Sequence, residues 1–109
     1  PLSNPMSTDL IPLATASGIA CLGQESEGWN LATGGGVREF SWPIPFELPF
    51  GTPPVVQVAL SGFDLDQRDS ARISVAPTNL TAEGFDLVVR TWEDSRVYGV
   101  EASWIAIGS

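Results

Sequence analysis

GFDLVVRTWEDSRVYGVEASWIAIG, residues 84–108, holds two apolar alternations on either side of a polar tip. In its first part Phe85, Leu87 and Val89 alternate with Asp86, Val88 and Arg90. In its second, Val100, Ala102, Trp104 and Ala106 alternate with Glu101, Ser103, Ile105 and Ile107. A period of two marks extended chain with one face turned to a core. The stretch therefore predicts strands over 84–92 and 98–108, joined by TWEDSRVYG (91–99), which reads as the tip of a β-hairpin.

The same period recurs upstream. PPVVQVALSGF (53–63) follows a proline pair and sets Val56, Val58 and Leu60 against Val55, Gln57 and Ala59, apolar on both sides, which predicts a central, well covered strand. ARISVAP (71–77) alternates Ile73 and Val75 against Arg72 and Ser74, and TASGIAC (15–21) and VREFSW (37–42) are shorter candidates. The loop between those two contains Gly34, Gly35 and Gly36, which free its backbone angles. No stretch shows a 3.6-residue period with caps. Six strands without helices predict an all-β, six-stranded antiparallel β-sandwich over residues 15–109. Residues 1–14 carry three prolines and no periodicity, which predicts an extended N-terminal arm. Met6, followed by Ser7 and Thr8, is a candidate natural start.

At 109 residues the chain has room for one core. A formal charge of −8 repels phosphate backbones and anionic lipid, so nucleic acid is not an expected partner. No apolar run reaches the roughly 20 residues that cross a bilayer, so membrane insertion is not expected, and the N-terminus lacks the pattern of a secretion signal. One cysteine, Cys21, excludes an internal disulfide, and its neighbours Ile19, Ala20 and Leu22 predict a buried thiol. The absence of histidine from the sequence removes imidazole-based triads and imidazole metal ligands. Among thirteen acidic residues nothing singles out a glycosidase pair, so no enzyme activity, cofactor or metal is expected. Asp64, Asp66 and Asp69 hint at calcium but lack EF-hand spacing, and a polar turn is the better reading. Asn79-Leu80-Thr81 fits the N-glycosylation pattern, and Trp29 and Trp42 are expected to serve packing.

Taken in order, SGIACLG…GWN, VREFSW, PFGTPPVVQVALSGFDLDQ, ARISVAPTNLTAEGF and TWEDSRVYGVEASWIAIG resemble the H-type lectin domain known from snail agglutinins and the C-terminal domains of discoidins. The resemblance spans 15–108. It implies a sandwich assembling as a trimer, or as paired trimers, and binding galactose or N-acetylgalactosamine without catalysis at shallow sites near subunit boundaries. Carried over by position, the stacking tryptophan falls on Trp92, the hydrogen-bonding tyrosine on Tyr98 and a strand arginine on Arg72. Glu93 stands where the snail lectins place a histidine, and the glycines around Gly35 stand where they place carboxylate-bearing contacts. Cys21 matches one half of the snail disulfide, whose other half falls on Val89.

A pyranose has one face of C–H bonds and a rim of hydroxyls, so it is recognised by an aromatic plane and forked polar groups. Trp92 and Tyr98 supply the first kind of contact, and Arg72, Glu93, Asp94 and Arg96 supply the second. Against this, the two aromatics also suit a core end, Glu93, Asp94 and Arg96 also suit a solvated turn, and Arg72 equally suits an interface ion pair. The function implied is a lectin acting on glycans exposed at a cell surface, outside the cell or on a virion. The alternative is a trimerising docking module of a fibre, adhesin or virus-like particle whose sugar site has decayed.

Overall fold

The computed structural model describes residues 13–109, so all but the last two residues of the expected arm lie outside the described residues. Six strands follow in order: β1 (Ala14–Gly23), β2 (Arg38–Pro45), β3 (Val55–Leu65), β4 (Ser74–Thr78), β5 (Gly84–Thr91) and β6 (Val97–Gly108). They form two antiparallel three-stranded sheets, ordered β1-β6-β3 and β2-β5-β4. The sheets come closest along β3 and β4. Every strand expected from the period of two is present.

The inner faces are complementary in size. The second sheet contributes Phe40, Ile44, Phe85, Leu87 and Val89, and the first contributes the smaller Ala20, Ala102 and Ala106 with Leu22 and Val100, all buried. Bulky side chains on one sheet fill the space above small ones on the other, which is how sandwich layers reach close packing. At one end Trp104 lies edge-on to Phe85 with ring centroids 5.5 Å apart and also meets Phe46. Gly18 is the β1 residue opposite Trp104. A Cβ there would stand 2.8 Å from the indole nitrogen, so the position has room only for hydrogen.

Four expectations are corrected. TWEDSRVYG is not a hairpin tip. β5 has both edges occupied by β2 and β4, and β6 has both occupied by β1 and β3, so the two cannot pair and the chain crosses from sheet to sheet as an arch. β3 is an edge strand, not a central one. Its inward Val56 and Val58 serve the core, while outward Val55 is 68% exposed and shares an apolar outer face with Ile19 (67%), Ile105 (41%) and Ile107 (40%). Cys21 is exposed because β1 turns Ala20 and Leu22 inward and Cys21 outward. Val89, at the other half of the snail disulfide, points inward from the opposite sheet, so the two positions do not face each other. Finally, Arg72 precedes β4 instead of lying on it. Among the packing tryptophans, Trp29 meets expectation by packing on Phe40 at 5.0 Å and donating its indole N–H to the Val97 carbonyl at 2.8 Å. Trp42 remains 40% exposed, 6.1 Å from Phe40.

Candidate functional site

The arch from Thr91 to Val97 is held from both sides by polar groups. Thr91 and Ser95 are fully buried. The Thr91 hydroxyl donates to the Arg72 carbonyl, and the Ser95 hydroxyl donates to the Ser70 carbonyl, both at 2.5 Å. These anchors occupy the backbone just before β4, which explains why that strand begins three residues later than the alternation predicts. Arg72 in turn donates to the Ser95 oxygen at 3.3 Å and to the Asp94 carboxylate at 3.0 Å.

Arg38, at the start of β2, is the main clamp. Its guanidinium donates to the carbonyls of Gly36 (3.1 Å) and Thr33 (2.8 Å) on one loop and of Glu93 (2.9 Å) and Ser95 (3.0 Å) on the arch, with a longer contact to Leu31 (3.5 Å). The planar fork of five donors suits a cradle of carbonyls that a single ammonium cannot span. The Gly36 amide adds a bond to the Glu93 carbonyl at 2.9 Å. Gly34 and Gly36 adopt φ of 88° and 75°, where glycine is free to go. Glu93 adopts φ of 60°, where a residue with a Cβ is strained.

This bracing leaves a surface groove of about 400 Å³ lined by Gly36, Val37, Ser74, Arg90, Trp92 and Glu93. The Trp92 indole is 36% exposed beside it. Arg90 and Glu39 are cross-strand neighbours with nitrogen and oxygen 3.7 Å apart, so the guanidinium keeps donors for another partner. The groove thus offers an aromatic plane, a carboxylate, a guanidinium and a hydroxyl within one opening.

Tyr98 lies elsewhere. Opposite β6, Asp64 pairs with Gly99 and Leu65 with Val97, so Tyr98 is the extra residue of a β-bulge. A bulge re-aims the side chain it carries. Here the phenol turns to a second shallow groove lined by Leu65, Asp66, Gln67, Arg68 and Tyr98. Its hydroxyl donates to Asp66 at 2.8 Å. Asp66 is 8% exposed and is gripped by Arg68, whose side chain donates at 2.8 and 2.6 Å and whose backbone amide donates at 3.0 Å. Arg96 forms a fork on Asp69 at 2.9 and 3.0 Å. The Arg68 side chain, followed by its amide and the Tyr98 hydroxyl, holds the Asp66 carboxyl far below the usual carboxylate range. The Arg96 fork lowers Asp69, and the bond to Asp66 together with desolvation raises the Tyr98 phenol. The two aspartates are therefore partners of arginines, in keeping with a polar turn. Among the described residues no cluster of acids, histidines or cysteines is arranged to hold a metal ion.

The structure thus brings Trp92 and Glu93 into one groove and places Gly35 at its margin, where a Cβ would lie 3.8 Å from the Glu93 carbonyl. Arg72 and Asp94 pair on the arch, and Arg96 is committed to Asp69. Tyr98 does not line the Trp92 groove, because the arch sends the indole and the phenol off opposite sheets. Arg90 and Ser74 were missed as groove residues, although the alternation puts Arg90 on the same face as Trp92. Nothing in the sequence marks Arg38 or Ser95, whose partners are mostly backbone carbonyls.

Residues 41–107 match the family model of the H-type lectin domain, more than half of the chain. The chain belongs to the H-type lectin domain family. Among curated relatives, this H-type lectin domain is 39% identical over 84 residues to a protein described as "ATP synthase subunits region ORF 7" from Fuscovulum blasticum, a match covering 77% of this chain and 73% of that one. It is 40% identical over 77 residues to a Discoidin-1 chain of Dictyostelium discoideum, covering 70% of this chain and 30% of the relative. The structure of discoidin II from the same organism superposes with a TM-score of 0.79 at 25% identity, covering 88% of this chain and 37% of that one. The chain therefore spans about a third of a discoidin. The tailspike protein gp49 of Pseudomonas phage LKA1 shares the fold, with a TM-score of 0.58 at 16% identity over 88% of this chain and 15% of its own.

Proposed function

We propose that this domain is a lectin that binds galactose-type or N-acetylgalactosamine-type glycans in the Trp92 groove and works as a trimer, without catalysis. The observation that carries this reading is the partly exposed Trp92 side chain flanked by Glu93, Arg90 and Ser74 on a braced loop pair. The indole meets the C–H face of the sugar, and the carboxylate and guanidinium fork its hydroxyls through charge-assisted hydrogen bonds. Membership of the family and the likeness to the discoidins support the ligand class.

The trimer reading is supported by the outer face of the β1-β6-β3 sheet. In register, Thr15, Ile107 and Val55 form one row, Ser17, Ile105 and Gln57 the next, and Ile19, Ser103 and Ala59 a third, with no charge among them. An exposed, uncharged surface that carries Ile19, Val55, Ile105 and Ile107 suits an association face. Three copies joined there present three grooves, and linked shallow sites gain strength by making the second contact intramolecular. Glycans displayed on a cell surface, in the extracellular space or on a virion are the partners this arrangement suits.

A glycan array on protein of known oligomeric state tests the proposal. The reading expects signal for terminal galactose or N-acetylgalactosamine, lost in Trp92→Ala with the thermal transition preserved. A stable trimer silent across the array favours the alternative, a trimerising docking module.

A further inference from the structure

We infer that the ligand is a linear, neutral oligosaccharide, with its terminal sugar in the Trp92 groove and its next units laid over the outer face of β4 and β5 as far as a second hollow at the other end of that sheet. This rests on the reading of the Trp92 groove as the sugar site and names the kind of chain that site takes.

The register shows how the two ends are joined. Ser74 lines the Trp92 groove, of about 400 Å³. A second hollow, of about 350 Å³, is lined by Pro43, Pro45, Asn79, Thr81, Glu83 and Asp86, with parts of Ile44, Gly84 and Phe85. Between the two, the outward residues of β4 are Ser74, Ala76 and Thr78, all small and all exposed. Beside them in register, β5 turns out Arg90, Val88 and Asp86. From Ser74 to Asn79 the path is about 16 Å at a strand's rise per residue, longer than one sugar ring spans. The floor is therefore low and continuous, with Ala76 and Val88 offering C–H surface in the middle and polar groups at both ends.

The character of this face favours a glycan over a protein. The outer face of β1-β6-β3 exposes Ile19, Val55, Ile105 and Ile107, the large apolar groups that a second protein surface buries. The β4-β5 face offers nothing of that kind. Hydroxyls of Ser74 and Thr78 both donate and accept, as sugar hydroxyls do. Glu39 and Arg90 balance each other at 3.7 Å at the upper end. At the lower end Asp86 accepts from the Asn79 side-chain amide at 2.9 Å, which leaves the carboxylate with lone pairs for a sugar hydroxyl. Asp86 and Glu83 together repel uronic and sulfated sugars there, so the chain that fits is a neutral one.

Calorimetry with galactose and β-linked galactobiose, galactotriose and galactotetraose tests this. The wild type is expected to bind galactotetraose about tenfold more tightly than galactose, the gain that one or two added hydrogen bonds bring. Ala76→Arg, on an exposed position of β4, fills the middle of the path. It should keep the affinity for galactose and lose the gain with length. Asp86→Ala, at the far end, should lower the affinity for galactotetraose several-fold and leave galactose where it was. If the wild type binds galactose and galactotetraose alike, or if Ala76→Arg keeps the full gain, the inference is overturned while the sugar-binding reading stands. If Ala76→Arg yields smaller assemblies by sedimentation velocity and chain length has no effect on binding, the face is a contact between copies and the inference is likewise overturned. If the wild type binds neither this series nor any glycan on an array, both readings fall together.

Discussion

Replacing Arg38 by lysine keeps the charge and removes the fork. The clamp makes four contacts of 2.8–3.1 Å and one of 3.5 Å, and its acceptors differ in the cost of losing them. The Gly36, Thr33 and Glu93 carbonyls lie at the surface and regain water, so each bond there contributes only about 0.5 kcal/mol net. The Ser95 carbonyl belongs to a buried residue, and leaving it unpaired costs about 1–2 kcal/mol. A lysine ammonium recovers one surface bond, which leaves Arg38→Lys less stable by about 2 kcal/mol, or roughly 10 °C in Tm for a domain of this size. The effect should be local in origin. Hydrogen exchange at the Gly36 amide, which bonds the Glu93 carbonyl, should quicken more than exchange at amides in the middle of β5. Differential scanning fluorimetry and exchange mass spectrometry together check both parts. An Arg38→Lys protein with unchanged Tm and unchanged protection at Gly36 would refute the view that this guanidinium ties the glycine loop to the arch.

Glu93→Gly should separate stability from binding. It relieves a left-handed backbone that costs about 1 kcal/mol or more but adds glycine's chain entropy, so stability rises by about 0.5 kcal/mol, while loss of the carboxylate weakens sugar binding about tenfold; chemical denaturation and calorimetry read the two effects. Asp66 and Asp69 have folded-state pKa values below the unfolded value of about 3.9. Their contribution is therefore complete above about pH 5 and lost as pH falls through about 4 toward those depressed values, and Asp66→Asn should flatten the acid limb of a urea-midpoint profile measured from about pH 7 to about pH 2. Ile105→Glu, at the centre of the apolar sheet face, should yield monomers by sedimentation velocity. Cys21, on the same face, should then react with a maleimide several-fold faster than in the wild type.

The strands were legible because a half-buried strand writes its own alternation, and β5 and β6 did so most clearly. What each strand pairs with was not written locally. Residues 91–99 look alike whether the chain turns back beside β5 or crosses to the other sheet, since the outcome depends on β2 and β4 taking both edges of β5. The two-sided apolar pattern of β3 came from a core face and an exposed face, not from a central position, and the same outward turn of alternate residues exposes Cys21. Trp92 and Glu93 were legible as neighbours of one opening. Tyr98 was not, because its direction is set by a single-residue bulge that shows only in the pairing with β3. Arg38 was hidden for another reason: carbonyl oxygens occur at every residue, so a side chain that binds them has no partner to look for in the sequence.

The central claim is that the Trp92 indole carries the sugar site, and the chain has four indoles to compare. Titrating N-acetylgalactosamine into nitrogen-15-labelled protein and following the four indole N–H resonances tests it directly. A saturable shift of the Trp92 signal is expected, while Trp29, bonded to the Val97 carbonyl beneath the loops, stays in place. A saturating response at other indoles with Trp92 unmoved, or no response at any of them, would contradict the claim.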